Sequence, residues 1–263
     1  MPLRVTLVRC ASPLARFPRR RPGIIKKTEI SMTYVFDPAP LAAVPVAGSD
    51  ARFPVRRIYC VGRNYEAHAR EMGHDPNREP PFFFAKPADA VLYVAPGVTA
   101  EFPYPDQSQN VHFEMELVAA IGKGGKNIPV ESALDHVFGY ALGLDMTRRD
   151  LQAEAKKLGR PWDTAKGFDH SAPIGPIHPV ARVGQIGKGA IWLNVNGEEK
   201  QRSDISQLIW PVADTIAFLS TLFELKAGDL IYTGTPEGVG AVKRGDVMTG
   251  GVDGLGEFAV RVA

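Results

Sequence analysis

At 263 residues the chain is long enough to bury a full core, and its 26 glycines and 22 prolines argue for short strands and many turns over a helical bundle. Two cysteines, Cys10 and Cys60, exclude a disulfide framework or a cysteine-built zinc site, and no apolar run reaches the roughly 18 residues of a membrane span, so a reduced, cytoplasmic setting fits. The net charge of +2 averages two unlike parts: eight of the 31 basic residues but only one of the 29 acidic ones precede Met32, which leaves the remainder at −5 and argues against nucleic-acid binding.

Residues 1 to 31 carry that basic excess without the apolar stretch of a secretory signal, although an Arg-rich, acid-poor segment also has the composition of a transit peptide. The simpler expectation is that Met32 is the natural start and residues 1 to 31 are an upstream extension that stays disordered. Residues 32 to 54 are rich in Pro and Ala and are expected to form an extended N-terminal segment over the surface. A single catalytic domain is expected from 55 to 263, with no internal repeat.

Residues 57 to 61 read as the first strand of that domain, followed by Gly62, Arg63, Asn64 and Tyr65. A helix over residues 66 to 72, stopped by Gly73, places His68 and Glu71 at i and i+3 on one face. A carboxylate beside an imidazole orients the ring and stabilises its protonated form, which suits a base that takes a proton from water; an exposed surface pair is the alternative. Residues 74 to 81 are polar and proline-rich, a candidate lid. Phe82, Phe83, Phe84 and Ala85 read as a buried strand that delivers Lys86, which either reaches solvent or meets an anionic ligand.

From residue 111 the apolar Val111, Phe113, Met115 and Leu117 alternate with His112, Glu114 and Glu116, the period of a strand with one polar face. Glu114 and Glu116 therefore point the same way, and the apolar run to Ile121 makes the strand internal, so the pair faces a cavity. Left unpaired, two buried carboxylates are costly, and a hard divalent cation such as Mg²⁺ relieves them. Asp145 ends a second strand-like stretch over residues 138 to 144 and supplies a third carboxylate. Taken alone, Glu-x-Glu on a strand is more often a solvated edge.

Residues 131 to 137 and 148 to 158 read as helices, the second stopped by Gly159 and carrying Arg149 and Gln152 on one face near Asp145. The loop over residues 160 to 176, with Lys166, is long and has little regular structure. Asn196-Gly197 between strand-like segments signals a type I′ hairpin. Residues 212 to 225 carry Val212, Ile216, Leu219 and Phe223 at helical spacing, facing the core. A strand over residues 229 to 232 empties into Thr233, Gly234 and Thr235, whose hydroxyls and backbone N–H groups can hold a carboxylate. There is no Gly-x-Ser-x-Gly elbow, no P-loop lysine, no His-Glu-x-x-His and no dinucleotide-binding glycine pattern.

Taken together, Gly62 to Tyr65 with His68 and Glu71, Lys86-Pro87, Glu114-x-Glu116, Asp145 with Arg149 and Gln152, Lys166, and Thr233-Gly234-Thr235-Pro236 resemble the fumarylacetoacetate hydrolase family over roughly residues 55 to 262. The resemblance implies an α+β, β-rich fold: a mixed β-roll or sandwich with a few short helices, assembled as a homodimer. It also implies Mg²⁺ or Mn²⁺ on Glu114, Glu116 and Asp145, a water-activating dyad of His68 and Glu71, a catalytic Lys166, and substrate contacts from Arg63, Lys86, Arg149, Gln152 and Thr235. The activity implied is cleavage of a carbon–carbon bond in a 2,4-dioxo acid, first among them fumarylpyruvate, to fumarate and pyruvate in gentisate-type aromatic catabolism. Oxaloacetate decarboxylation or tautomerisation, or hydrolysis of another acylpyruvate or of fumarylacetoacetate, are the alternatives within the family. A metal-stabilised binding protein without turnover is the alternative outside it.

Overall fold

A computed structural model of the chain describes residues 33 to 71, 73 and 79 to 263. The extension over residues 1 to 31, the start at Met32, the helix end at Met72 and residues 74 to 78 of the expected lid lie outside the described residues. Two compact units divide at residue 39. In the first, residues 33 to 39 are exposed and lack regular structure. The second, residues 40 to 263, carries every strand and helix discussed below.

Among the described residues the largest sheet is mixed. β3 (Ile58–Gly62) pairs with the edge strand β4 (Phe82–Lys86) and runs parallel to β15 (Leu230–Tyr232). β15 pairs with β8 (Met115–Ile121), and β8 with β9 (Val137–Leu144). β9 meets β11 (Ala172–Ile174) and β12 (His178–Pro179), and β11 runs parallel to β5 (Val91–Tyr93). A second sheet holds, in order, β14 (Glu198–Asp204), β13 (Ala190–Val195), β17 (Val247–Val252), β18 (Gly256–Val262) and β6 (Thr99–Phe102). A third joins β10 (Thr147–Arg148), β7 (Val111–Phe113) and β16 (Gly240–Val242), and a fourth pairs β1 (Ala43–Pro45) with β2 (Arg52–Pro54). The helices are short: α1 (Glu66–Glu71), α2 (Arg149–Leu158), α3 (Asp163–Lys166), α4 (Val180–Val183) and α5 (Val212–Leu222). The β-rich fold with few short helices is the one expected. No described helix is long and apolar enough to cross a membrane.

β8 shows how the layers form, because it is buried at every position and its side chains divide by parity. Met115, Leu117, Ala119 and Ile121 enter one core, which the five-stranded sheet supplies with Ile191, Leu193, Met248 and Val260. Val118 and Ala120 enter a second core with Cys60, Ala141 and Tyr232, to which β1 and β2 add Val44 and Phe53. Residues 40 to 54 are thus extended, but packed into this core. Full burial of a Leu or Ile side chain contributes on the order of 2 kcal/mol, so β8 anchors both layers.

Local details depart from expectation where tertiary pairing decides. The Phe82, Phe83 and Phe84 stretch is only half-buried, because β4 is an edge strand held by β3 alone. The loop expected over residues 160 to 176 contains α3 and β11, ordered by pairing with β5 and β9. Residues 130 to 136 form a 3-10 helix, and α5 ends at Leu222, with Phe223 extended. The hairpin forms as expected, with Asn196 and Gly197 both at positive φ (53° and 83°).

Candidate metal and active site

The alternating stretch from Val111 to Leu117 is two strands, since β7 belongs to the three-stranded sheet and β8 to the large one, with Glu114 at the crossing. The ladder nevertheless continues across the break: Asp145 N–H donates to the Glu114 carbonyl at 2.9 Å. Glu116 shares its parity on β8 with Val118 and Ala120, and Asp145 shares its parity with Ala141 on β9, so both carboxylates end the face of the second core. One ligand atom from each of Glu114, Glu116 and Asp145 lies within 4.8 Å of the others, and all three residues are buried.

Three buried carboxylates need counter-charge. Lys166, on α3, donates to Glu114 Oε2 at 2.7 Å and to Asp145 Oδ2 at 2.8 Å. Arg149 donates to Glu114 Oε1 at 2.6 Å and to Gln152 Oε1 at 2.8 Å. Burial would raise the pKa of Glu114, but the charges of Lys166 and Arg149 outweigh it and hold the carboxyl well below its usual range. The pKa of Lys166 is raised instead, because Asp145 and Glu114 overcome the burial that would lower it. Among the described residues Glu116 forms no ion pair; it accepts the Gly234 N–H at 2.8 Å, and burial, with Asp145 and Glu114 nearby, pushes its pKa well up.

The donor set fits a hard divalent cation. All three candidate ligands are carboxylates, Glu116 forms no ion pair among the described residues, and Asp145 Oδ1 is paired with Lys86 Nζ at 2.8 Å. Lys86 directs its hydrogen bonds to the Met146 carbonyl at 3.2 Å and to the Lys166 carbonyl. It therefore sits beside Asp145, outside the lining of the cavity where its substrate contact was expected. The reason is register: Phe82, Phe84 and Lys86 share one face of β4, and Lys86 is at its buried inner end.

His68, buried on α1, places Nδ1 3.1 Å from Glu71 Oε2. A carboxylate only accepts, so this contact puts the ring proton on Nδ1 and leaves Nε2 as the basic nitrogen. Glu71 also accepts the Gly238 N–H, at 3.1 Å to Oε1. Gly238 has φ +87°, and a Cβ there would lie 1.9 Å from the Lys200 carbonyl oxygen, so only glycine fits the loop. Two backbone amides of the loop after β15, read from the sequence as able to hold a carboxylate, hold those of Glu116 and Glu71. Thr235 donates to the Met115 carbonyl at 2.8 Å and accepts from Gln201 Nε2 at 2.9 Å.

Of the expected residues, Arg63, His68, Glu114, Glu116, Arg149, Gln152, Lys166 and Thr235 line one narrow cavity of about 30 Å³, the room of one water. Asp145 and Glu71 stand behind it, paired with Lys166 and His68. Two residues escaped the sequence. Lys156, on the cavity lining, is seven residues beyond Arg149 and so on the same helix face, a signal that was present. Gln201, buried on β14, accepts the Met115 N–H at 3.0 Å and donates to Thr235 and to the Pro236 carbonyl; no local pattern announces it.

Known proteins resemble the chain over most of its length. A solved structure of fumarylpyruvate hydrolase from Pseudomonas aeruginosa, in complex with Mn²⁺ and pyruvate, is 62% identical and superposes with a TM-score of 0.87, covering 88% of this chain and 99% of that one. A fumarylpyruvate hydrolase of a Ralstonia species is 47% identical over 188 residues, 72% of this chain and 95% of that protein. A mitochondrial oxaloacetate decarboxylase of Dictyostelium discoideum is 42% identical over 200 residues, 76% of this chain and 90% of that protein. The family model described as fumarylacetoacetate hydrolase C-terminal matches residues 57–263, and the chain belongs to the fumarylacetoacetate hydrolase family.

Proposed function

We propose that this chain is a divalent-metal-dependent hydrolase that cleaves the C3–C4 bond of a 2,4-dioxo acid, with fumarylpyruvate as substrate and fumarate and pyruvate as products of a gentisate-type aromatic catabolism. The observation that carries the reading is that His68, backed by Glu71, lines the same cavity as Glu114 and Glu116. The likeness to two fumarylpyruvate hydrolases, at 62% and 47% identity, supports the choice of substrate.

Mg²⁺ or Mn²⁺ held by Glu114, Glu116 and Asp145 would supply positive charge that draws in the 1-carboxylate and 2-oxo oxygens and offsets the charge developing on the latter. His68 takes a proton from water through Nε2, and Glu71 stabilises the resulting imidazolium. The hydroxide adds to C4; the C3–C4 bond then breaks, its electron pair leaving as the enolate of pyruvate. Lys166 places an ammonium beside that charge, and the proton on His68 returns to C3. Arg149, fixed by Gln152 and Glu114, orients the substrate together with Arg63 and Thr235, while Lys86 holds Asp145 in place. The same reading has the protein acting as a cytoplasmic homodimer without nucleic-acid or membrane partners.

A second reading, oxaloacetate decarboxylase or tautomerase, is favoured by the 42% identity to the Dictyostelium protein. It needs the stabilised enolate but no attacking water. Turnover of fumarylpyruvate, acetylpyruvate, fumarylacetoacetate and oxaloacetate by the Mg²⁺-loaded protein, with product analysis, separates the two. Release of fumarate and pyruvate supports the hydrolase; turnover of oxaloacetate far above any 2,4-dioxo acid replaces it with the second reading.

A further inference from the structure

The charges around the cavity leave an excess of cations. Among the described residues, Arg63, Lys86, Arg149, Lys156 and Lys166 lie on or behind its wall, against the carboxylates of Glu114, Glu116 and Asp145. Arg149, Lys166 and Lys86 are engaged with those carboxylates. Arg63 and Lys156 are held otherwise, on aromatic faces. The Arg63 guanidinium lies 4.7 Å from the centre of the Phe82 ring, and Lys156 Nζ lies 5.1 Å from that of Trp162. Phe82 and Trp162 meet edge to face at 5.7 Å. The two cations therefore flank one aromatic wall, and neither has a carboxylate partner among the described residues.

Helix α2 sets the distance from this wall to the carboxylate cluster. Arg149, which grips Glu114, and Lys156 are seven residues apart on one face, roughly 10 Å along the axis, and side chains lean toward the helix N-terminus, so Lys156 extends back toward Gln152. Partial burial, together with the charges of Arg149 and Arg63, lowers the pKa of Lys156, a cost that an anion between them relieves. Arg63 is held at φ +53°, uncommon for a residue with a side chain, which fixes its direction at the end of β3. The shared rings of Phe82, Phe84 and Trp162 also separate the narrow cavity from a wider one of about 350 Å³, so a ring displacement gives a long substrate room.

We propose that Lys156 and Arg63 form a second carboxylate subsite, which holds the far carboxylate of a dicarboxylic substrate and selects a long diacid over a monoacid or a short diacid. The proposal rests on the reading that the near end of the substrate lies at Glu114, Glu116 and Asp145. The terminal carbons of a seven-carbon diacid such as fumarylpyruvate are roughly 7 Å apart when extended, and those of oxaloacetate about half that. A short diacid anchored at the carboxylate cluster falls short of Lys156.

The test is equilibrium binding to the Mg²⁺-loaded full chain, by calorimetry, of 2-oxoheptanedioate, 2-oxoheptanoate and oxaloacetate. Wild type is expected to prefer the seven-carbon diacid to its monoacid by about tenfold or more, the usual worth of a charge-assisted contact, and Lys156→Met or Arg63→Met to abolish most of that preference. Equal affinities in wild type, or a preference that survives both substitutions, overturns the subsite. The kinetic counterpart is the ratio of kcat/KM for fumarylpyruvate to that for acetylpyruvate, which should fall about tenfold or more in Lys156→Met. If wild type binds the diacid preferentially yet cleaves neither acylpyruvate, the subsite stands and the hydrolase reading alone falls.

Discussion

Glu71 accepts the Gly238 N–H at 3.1 Å while its other oxygen faces His68 Nδ1, so the helix that carries the base is tied to the loop that carries Thr235. The Glu71 side chain is 36% exposed, and without this amide it would be free to swing away from the imidazole. Gly238→Ala would press a methyl against the Lys200 carbonyl oxygen and misplace the amide. It is expected to lower kcat by roughly tenfold, as is Glu71→Gln, and the pair should be less than additive because both act through one contact. Full additivity in that double-mutant cycle would show the two residues to be independent.

Loss of the imidazole itself should cost more. His68→Ala is expected to lower fumarylpyruvate turnover roughly 10²- to 10⁴-fold with KM little changed, the usual worth of a positioned base. Oxaloacetate decarboxylation has no water to activate, so the same variant should lose far less of that activity. An equal loss on both substrates would remove His68 from the water-activating role.

The carboxylate cluster was legible because strand parity is local: Glu114 and Glu116 stand two residues apart, and Asp145 ends the neighbouring strand. The break between β7 and β8 was not, because it is imposed by β10 and β16, which pair with β7 from elsewhere in the chain. The setting of Lys86 was not legible for the same reason. Its place at the end of an apolar strand is visible, but whether that end opens to the cavity or lies beneath Asp145 depends on the pairing of β4 with β3. Gln201 lies in a run of charged residues on β14 and gains its meaning only from Met115 and Thr235, which the fold brings to it.

That makes Gln201 a sensitive position. Gln201→Leu would leave the buried Met115 N–H without its acceptor and Thr235 without its donor, each costing roughly 1–3 kcal/mol. Met115 lies between two of the three carboxylates, so the variant should show both a lower Tm and weaker Mg²⁺ binding. Gln201→Glu, which keeps the acceptor for Met115, should recover part of the stability; no difference between the two variants would disconnect Gln201 from the strand break.

A chain beginning at Met32 is expected to keep its fold and turnover, since each candidate site residue lies beyond residue 62 and Val44, Val46 and Phe53 are retained. A chain beginning at residue 55 loses those three buried side chains from the second core and should melt well below it, at roughly 1.5–3 kcal/mol per side chain removed. Thermal denaturation of the two proteins side by side is the measurement. Equal Tm values would mean that β1 and β2 add nothing to the core they cover.

Lys166 poses the sharpest question about the metal, because its ammonium lies on Glu114 Oε2 and Asp145 Oδ2, oxygens of the same carboxylates that a cation would use. Cation and ammonium cannot both hold those atoms at close range, so metal binding should require Lys166 to withdraw from at least one of them. Lys166→Met removes the competitor and concentrates negative charge, and is therefore expected to bind Mg²⁺ more tightly than wild type, by several-fold in calorimetry. The same change should destabilise the metal-free protein and enlarge the rise in Tm on adding Mg²⁺, since a ligand stabilises in proportion to the logarithm of its concentration over Kd. Turnover should nonetheless collapse, because the ammonium beside the developing enolate is gone. Chelation of the wild type should abolish activity, and Asp145→Ala should abolish metal binding. Weaker Mg²⁺ binding by Lys166→Met would mean that the lysine supports the site as a structural partner and does not compete for it.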